Sequence, residues 1–260
     1  MSHPDLHLAR DAGIATLTID RPAKRNALTL PMWQALPGLF DGLSADPALR
    51  CVILRGAGED AFSAGADIRG FETERGTEPR ERAYNGALVA AFLAIERCAH
   101  PVVAALSGHA LGGGCGLALM CDFRVGGPGT RMGIPARNLG LFYPHEGLDA
   151  LLRIAGEAVA MEMLVEGRTY GGEDAMARRL LTRLVPDGQV QAEARALAGR
   201  IAEGAPLANR FHKRALRTLR GPLPITAADR AELDAFPRSA DFREAVAAFR
   251  EKRKPVFRGE

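Results

Sequence analysis

Three consecutive glycines, Gly112–Gly114, stand between a predicted strand and a predicted helix and are the most informative feature of the chain. Because they have no side chains, their N–H groups can approach an anion, or a carbonyl oxygen that becomes negative, at the N-terminus of the helix. The phosphate-loop pattern fails because no Lys-Ser or Lys-Thr pair follows, and the dinucleotide pattern fails because the GxGxxG spacing is absent. A glycine-rich turn alone more often serves tight packing, so a second feature is needed.

A second turn of small residues, Ser63-Ala-Gly-Ala-Asp67, also follows a predicted strand. If the two strands are neighbours, each turn can aim one N–H group at the same oxygen atom. Two such donors form an oxyanion hole, which stabilises negative charge that develops on an oxygen during a reaction. The two turns together therefore predict oxyanion chemistry performed by the backbone.

Side chains that could move protons lie near these turns. His109 precedes the glycines, and His145 and Glu146 stand at the entry to a predicted helix. Both histidines are more often ordinary, partly buried residues, but His145 and Glu146 are candidates for acid–base catalysis. The string from His145 to Asp149 has only one histidine of the zinc-binding HExxH pattern, so no metal site is predicted.

The elements that must position these residues follow an α/β pattern. The predicted strands are 13–20, 51–54, 101–106, 122–125 and 130–132. The main predicted helices are 29–43, 81–98, 117–121, 189–203, 205–219, 226–235 and 241–252. The charged segment 72–82 predicts an exposed mobile loop. The expected organisation is an α/β core over residues 1–200 and a helical region over residues 201–260.

Composition excludes several classes of protein. The 260 residues are 47% hydrophobic and 25% charged, which is typical of a globular chain. A net charge of +3 and an aromatic content of 6% argue against nucleic-acid binding. No apolar run has the length of a membrane span and the N-terminus lacks a signal-peptide core, so we expect a cytoplasmic protein. Four cysteines in apolar segments predict buried, reduced thiols: Cys51, Cys98, Cys115 and Cys121.

The chain resembles the crotonase (enoyl-CoA hydratase/isomerase) superfamily in four ordered segments, RPAKRNALT, AFSAGADI, GHALGGGCGLALMCDFRV and EKRKPVFRG. The resemblance covers nearly the whole sequence. It implies a crotonase-like α/β core of ββα units wound into a superhelix, and a C-terminal helical region that forms a homotrimer, often paired into a hexamer. It also implies an acyl-CoA thioester as the small-molecule substrate, with coenzyme A as part of that substrate and no separate cofactor.

The same resemblance implies roles for particular residues. The oxyanion donors would be the N–H groups of Ala66 and Gly113. Coenzyme A would lie along two segments near them, and the C-terminal segment of a neighbouring subunit would close over its nucleotide. The residues implied in coenzyme A binding are Lys24, Arg25, Ala27, Ala64, Gly65, Asp67, Ile68, Lys254 and Phe257.

The sequence departs from the hydratases of this superfamily at both of their catalytic glutamates, whose positions hold Gly116 and Ala136 here. A third position, which is an aspartate in some isomerases and dehalogenases, holds Pro144. General acid–base groups typically contribute ~10²–10⁴-fold to a rate, so ordinary hydration is not expected.

Decarboxylation of a malonyl-type thioester needs the oxyanion hole but no strong base, because loss of CO₂ leaves an enolate. The segment 138–143 is similar to that of methylmalonyl-CoA decarboxylases, with Tyr143 at the place of their active-site tyrosine, although those enzymes have a histidine at the position of Ala66. The sequence therefore favours decarboxylase-like or other enolate chemistry over hydration. The alternative is a pseudoenzyme that binds acyl-CoA without converting it.

Overall fold

Short β-branched and apolar segments of the sequence form the strands, which belong to two sheets. The computed structural model describes residues 3–219, 227, 231, 234, 238, 240–253 and 255. The strands within these residues are β1 Leu6–Asp11, β2 Ile14–Ile19, β3 Cys51–Gly56, β4 Ala61–Ser63, β5 Val102–Leu106, β6 His109–Leu111, β7 Phe123–Gly126, β8 Arg131–Gly133, β9 Tyr170–Gly171 and β10 Arg183–Leu184.

Helices pack against the sheets and contribute apolar side chains to the core. The α-helices of the described residues are α1 Leu30–Ala45, α2 Phe71–Arg75, α3 Glu78–Arg97, α4 Gly113–Met120, α5 His145–Met161, α6 Gly172–Ala177, α7 Val190–Glu203, α8 Pro206–Leu219 and α9 Ala240–Arg250. None of them is long and apolar enough to cross a membrane.

The larger sheet has six strands in the order β1-β2-β3-β5-β7-β10. Its strands pair in parallel, except that β1 and β2 form an antiparallel hairpin. Every residue of β5 is buried, as expected for a central strand with both faces covered. On one face the cover is α7, which packs Val190, Ala194 and Leu197 against the sheet.

The smaller sheet, with the order β4-β6-β8-β9, brings the two predicted turns together. Three times in succession the chain passes through a strand of the larger sheet, a strand of the smaller sheet and then a helical segment. This repetition confirms the predicted ββα fold. Because β4 and β6 are parallel neighbours, the turns that follow them leave the sheet at the same edge.

The charged segment 72–82 is largely exposed, as expected, but it is mostly helical rather than a loop, so that part of the expectation was wrong. It contains the end of α2 and the start of α3, and both Arg75 and Glu81 are buried. The Arg75 guanidinium lies over the rings of Phe71 and Tyr84 and forms a salt bridge with Glu81. Pairing with a carboxylate and stacking on aromatic rings compensate for the burial of these charges, which a composition-based argument cannot anticipate.

The described part of the C-terminal region is mainly helical. α8 presents four large apolar side chains to the surface: Leu207, Phe211, Leu216 and Leu219. The expected division after residue 200 falls in the last turn of α7 and stays a prediction, as does the trimer. The four cysteines are buried free thiols, which confirms that expectation.

Candidate functional site

The first half of the site is the turn after β4. The Ser63 hydroxyl holds this turn by accepting a hydrogen bond from the Gly65 N–H at 3.0 Å. Leu28 pairs with the residues on either side of Ala66: its N–H donates to the Gly65 carbonyl at 2.7 Å, and its carbonyl accepts from the Asp67 N–H at 2.8 Å. Successive N–H groups of an extended chain point to opposite sides, so the Ala66 N–H faces away from Leu28.

The second half of the site is the start of α4. Gly112 precedes the helix with φ 53° and ψ −121°, a conformation that suits glycine. Its N–H donates to the Gly133 carbonyl at 2.8 Å, and its carbonyl accepts from the Gly116 N–H at 3.1 Å. A Cβ atom on Gly113 would lie 2.9 Å from the Trp33 ring. Backbone conformation therefore favours glycine at position 112 and packing favours it at position 113, and the lack of side chains leaves the first N–H groups of the helix bare.

The two turns touch each other. A Cβ atom on Gly65, whose φ is +88°, would lie 2.6 Å from the Leu111 carbonyl oxygen and 2.8 Å from the Gly113 nitrogen. Within the described part of the chain, neither the Ala66 N–H nor the Gly113 N–H donates a hydrogen bond. Both residues line the same cavity. Two backbone amides without a hydrogen-bond acceptor at one cavity are the first requirement of an oxyanion hole.

This cavity has a volume of about 110 Å³ and a mainly apolar wall. Among the described residues, the titratable side chains that line it are those of Arg75 and Tyr143, and no Asp, Glu or His lines it. The apolar wall is built chiefly from Ile68, Phe71, Leu88, Ile134, Leu139 and Leu141. Within the part of the chain that the structure describes, Tyr143 is therefore the cavity-lining side chain, apart from the paired Arg75, that carries an exchangeable proton.

The positions where the resemblance places hydratase glutamates hold no carboxylate and, at one of them, no free space. A Cβ atom on Gly116 would lie 2.8 Å from Phe92 Cε2 and closer still to Phe92 Cζ and to the Tyr143 hydroxyl. The two aromatic side chains thus fill the volume that a glutamate would need. Ala136 and Pro144 line the cavity with aliphatic groups only.

Tyr143 lies between the glycine cluster and α5. Its hydroxyl donates a hydrogen bond to the Gly112 carbonyl at 3.1 Å. Burial raises the pKa of the Tyr143 phenol well above its ordinary value, so the hydroxyl keeps its proton at neutral pH. Tyr143 is therefore a fixed hydrogen-bond donor at the cavity.

The other predicted acid–base groups do not face the cavity. His145 and Glu146 lie in the first turn of α5, where Glu146 is buried, and neither lines the cavity wall. His109, in β6, does not line it either. A catalytic role for His145 and Glu146 stays a prediction that the geometry of the cavity does not favour.

Three residues predicted to bind coenzyme A lie at the cavity. Ala64 and Ile68 line it, and Gly65 forms the close contact between the two turns. Asp67 does not line it: its carboxylate accepts a hydrogen bond from the Arg69 N–H and pairs with Arg21 at 3.0 Å.

The remaining predicted coenzyme A residues lie further out. Lys24 and Arg25 are exposed, and Ala27 is buried beside them. The Arg25 carbonyl accepts a hydrogen bond from the Ala64 N–H at 2.8 Å, so this surface is continuous with the cavity rim. The predicted contacts at Lys254 and Phe257 lie outside the described residues.

Sequence reasoning missed a buried polar cluster in the cavity wall. Arg75 donates to Glu81 from Nε at 2.8 Å and to the Asn85 side-chain oxygen at 3.2 Å. Burial raises the pKa of Glu81, and the Arg75 guanidinium counteracts this effect. The three residues are separated by six and four positions along the chain, and this spacing across a helix boundary was the only available signal.

These features define an α/β protein of ββα units with two backbone amides at an apolar cavity. The sequence profile of the enoyl-CoA hydratase/isomerase family matches residues 9–260. The chain is 33% identical over 260 residues to a crotonyl-CoA hydratase of Syntrophomonas wolfei, covering 99% of both chains. It is 34% identical over 261 residues to a carnitinyl-CoA dehydratase of Escherichia coli, covering 98% of both.

A solved structure agrees with these sequence comparisons. An enoyl-CoA hydratase/carnithine racemase from Magnetospirillum magneticum superposes with a TM-score of 0.82 and 42% sequence identity, covering 100% of this chain and 97% of the other. The chain belongs to the enoyl-CoA hydratase/isomerase family, which confirms the resemblance found from its motifs.

Proposed function

We propose that the protein is an acyl-CoA enzyme that stabilises a thioester enolate between the N–H groups of Ala66 and Gly113. The observation that carries this proposal is the pair of unused amides on two touching turns at one cavity. Each amide would donate to the thioester oxygen, most strongly when that oxygen carries the charge of an enolate. Loss of one such donor typically costs ~10²–10³-fold in rate, so two donors can support catalysis without side-chain groups.

Coenzyme A fits the surface outside the cavity. The exposed cations Lys24 and Arg25 stand beside the turn that supplies Ala66 and suit the phosphates of the nucleotide. The relatives named for crotonyl-CoA and carnitinyl-CoA support a thioester of coenzyme A as the ligand. The acyl group would then enter the apolar cavity.

Hydration is not the reaction that this cavity favours. A hydratase must activate a water molecule and donate a proton. Neither position 116, a glycine, nor position 136, an alanine, supplies a carboxylate for these steps. Decarboxylation of a malonyl-type thioester fits better. The bond between C2 and the carboxylate carbon breaks, its electron pair forms the enolate, CO₂ leaves, and a proton from water is then added to C2. The apolar wall disfavours the substrate carboxylate and so promotes its loss.

The test is turnover by the purified protein of malonyl-CoA, methylmalonyl-CoA and crotonyl-CoA, followed by mass spectrometry. We expect decarboxylated thioesters from the first two and little 3-hydroxybutyryl-CoA from the third. Rapid hydration of crotonyl-CoA would contradict the inference from Gly116 and Ala136. Tight binding of all three thioesters without conversion would favour the alternative, a pseudoenzyme, for which the missing glutamates are the specific observation.

A matched pair of variants tests the backbone donor itself. Gly113→Ala and Gly113→Pro both place a Cβ atom against the Trp33 ring, but only proline removes the N–H. Proline is tolerated at the first position of a helix, which is where Gly113 lies. We expect the proline variant to be about 10²–10³-fold slower than the alanine variant. Equal rates would exclude the Gly113 N–H from the reaction.

We also propose that the chain assembles as a homotrimer, or as a hexamer of two trimers. The exposed apolar residues of α8, with Leu207 and Leu219 the most exposed, support an interface in the C-terminal region. Analytical ultracentrifugation checks this: a mass of three or six chains is expected, and a monomer at all concentrations would contradict it.

A further inference from the structure

The Tyr143 hydroxyl is hydrogen-bonded to the peptide group that contains the predicted oxyanion donor, the N–H of Gly113. The Tyr143 hydroxyl donates at 3.1 Å to the carbonyl oxygen of Gly112. That carbonyl and the N–H of Gly113 belong to the same planar peptide unit. A hydrogen bond accepted by the oxygen withdraws electrons from the unit and makes its N–H a stronger donor. The Tyr143 side chain thus affects the Gly113 N–H through the peptide bond, without contacting the ligand oxygen itself.

The packing around Tyr143 holds this geometry. A Cβ atom on Gly116 of α4 would overlap the Tyr143 hydroxyl, and a Cβ atom on Gly147 of α5 would lie 3.0 Å or less from its ring. The ring of Phe92 stands beside it, with the centroids 6.4 Å apart. Two glycines on different helices therefore provide the space that the tyrosine ring occupies, and little freedom is left to turn the hydroxyl elsewhere.

The Gly112 carbonyl also has a hydrogen-bond donor besides the tyrosine. It accepts a second hydrogen bond from the Gly116 N–H at 3.1 Å, within the first turn of α4. Removal of the Tyr143 hydroxyl would therefore leave no buried carbonyl without a partner, and it would cost little stability. The second bond means that the tyrosine is not needed to complete the backbone hydrogen bonding of the turn.

We infer that Tyr143 is a positioning residue that strengthens the Gly113 N–H by hydrogen bonding to the other end of its peptide group. The inference rests on the proposed function, since it assigns Tyr143 to the same oxyanion site. Its role differs from the proton donation expected of an active-site tyrosine, because the phenolic proton is committed to the Gly112 carbonyl. The raised pKa agrees with this role: a phenol that holds its proton is a poor acid but a lasting donor.

The expected effect is modest and specific. Cooperative hydrogen bonding strengthens a neighbouring bond by about 10–30%, and one oxyanion donor is worth ~10²–10³-fold in rate. Loss of the Tyr143 hydroxyl should therefore reduce kcat by about 2- to 8-fold and leave KM nearly unchanged. Loss of a proton donor would instead cost ~10²-fold or more.

The experiment compares Tyr143→Phe with Tyr170→Phe. Tyr170 is a matched control because its ring is buried and its hydroxyl also donates a hydrogen bond, to the Glu162 carboxylate at 2.6 Å, but it does not line the cavity. The probe is butyryl-CoA labelled with ¹³C at the thioester carbonyl, and the readout is the shift of its C=O stretch on binding, from isotope-edited infrared difference spectra. We expect a shift to lower frequency in the wild type and in Tyr170→Phe, and a clearly smaller shift in Tyr143→Phe.

The outcomes separate this inference from the proposed function. An equal shift in Tyr143→Phe and the wild type overturns the role of Tyr143 and leaves the oxyanion hole intact. The same applies if kcat falls ~10²-fold while the shift is unchanged, since that result assigns Tyr143 to proton transfer. No shift in bound wild-type protein overturns the proposed function itself.

Discussion

Substitution of Gly116 by alanine tests whether packing excludes a side chain from the position of the hydratase glutamate. The added methyl group would lie 2.8 Å or less from atoms of Phe92, and Cβ atoms in proteins essentially never have contacts shorter than 3.0 Å. Phe92 cannot easily retreat, because its ring is fully buried and packs edge-on against Trp33 with centroids 6.2 Å apart. Overpacking of this kind typically costs 1–3 kcal/mol, so we expect the free energy of unfolding to fall by about that amount.

Urea unfolding at a fixed protein concentration measures this change, with Gly199→Ala as the control. Gly199 lies inside α7, and a Cβ atom there would meet nothing within 4 Å. The same substitution should therefore stabilise the protein by about 0.5–1 kcal/mol, through helix propensity alone. If Gly116→Ala were as harmless as Gly199→Ala, the space at position 116 would be open, and the missing glutamate could not be attributed to packing.

A double-mutant cycle locates the overlap. Phe92→Leu shortens the side chain that the new methyl group would strike. If the overlap is with the Phe92 ring, Gly116→Ala should destabilise the Phe92→Leu background by less than the wild type, with a coupling of about 0.5–3 kcal/mol. Additive effects would place the strain elsewhere.

Three further predictions concern the turn, the buried ion pair and a buried histidine. Gly65→Ala adds a Cβ atom 2.8 Å from the Gly113 nitrogen, at a residue whose φ is +88°. Because this contact would displace the Gly113 N–H, turnover of methylmalonyl-CoA should fall by ~10²-fold or more. Arg75→Met leaves the buried Glu81 carboxylate without its cationic partner and should lower the free energy of unfolding by about 3–5 kcal/mol in urea titrations. Burial, and next the positive charge of the nearby Arg210, lower the pKa of His100 from 6.5 to about 4. The unfolded chain then binds more protons between these values, so stability should fall as the pH drops from 6.5 to 4, and His100→Gln should flatten that part of the pH–stability curve.

Each of these predictions can be contradicted by a stated result, and the Arg75 prediction also has a control variant. Wild-type turnover in Gly65→Ala would show that the two turns need not touch. Arg153→Gln removes a more exposed cation that pairs with Asp149, and it should cost no more than about 1 kcal/mol. A similar loss in Arg75→Met would mean that the buried pair contributes little. An unchanged slope of stability against pH in His100→Gln would assign that slope to other groups.

Local patterns were sufficient to predict much of the fold. Alternating β-branched residues predicted a strand at 13–20, and apolar runs predicted strands at 51–54 and 101–106. The structure has strands at Ile14–Ile19, Cys51–Gly56 and Val102–Leu106. The hairpin strand Leu6–Asp11 was not predicted, because five of its six residues are exposed and its pairing with Ile14–Ile19 defines it. The glycines and small residues of the two turns were sufficient to predict that the turns lie side by side, and they meet at one cavity, because close backbone approach restricts residue type.

The wall of the site could not be predicted in the same way. Gly116, Phe92 and Tyr143 meet from three separate segments, and no local pattern shows that an absent side chain at one position is filled by rings from the other two. The same holds for Arg75 and Glu81, which a charged composition made look exposed. Long-range packing, rather than propensity, decides these positions.

A crystal structure of the protein with bound butyryl-CoA, a thioester that lacks the leaving carboxylate, tests the central claim most directly. We expect the thioester oxygen to lie within hydrogen-bond distance, about 2.7–3.1 Å, of both the Ala66 and the Gly113 nitrogen atoms. A thioester oxygen bound elsewhere, or in contact with only one of these amides, would contradict it.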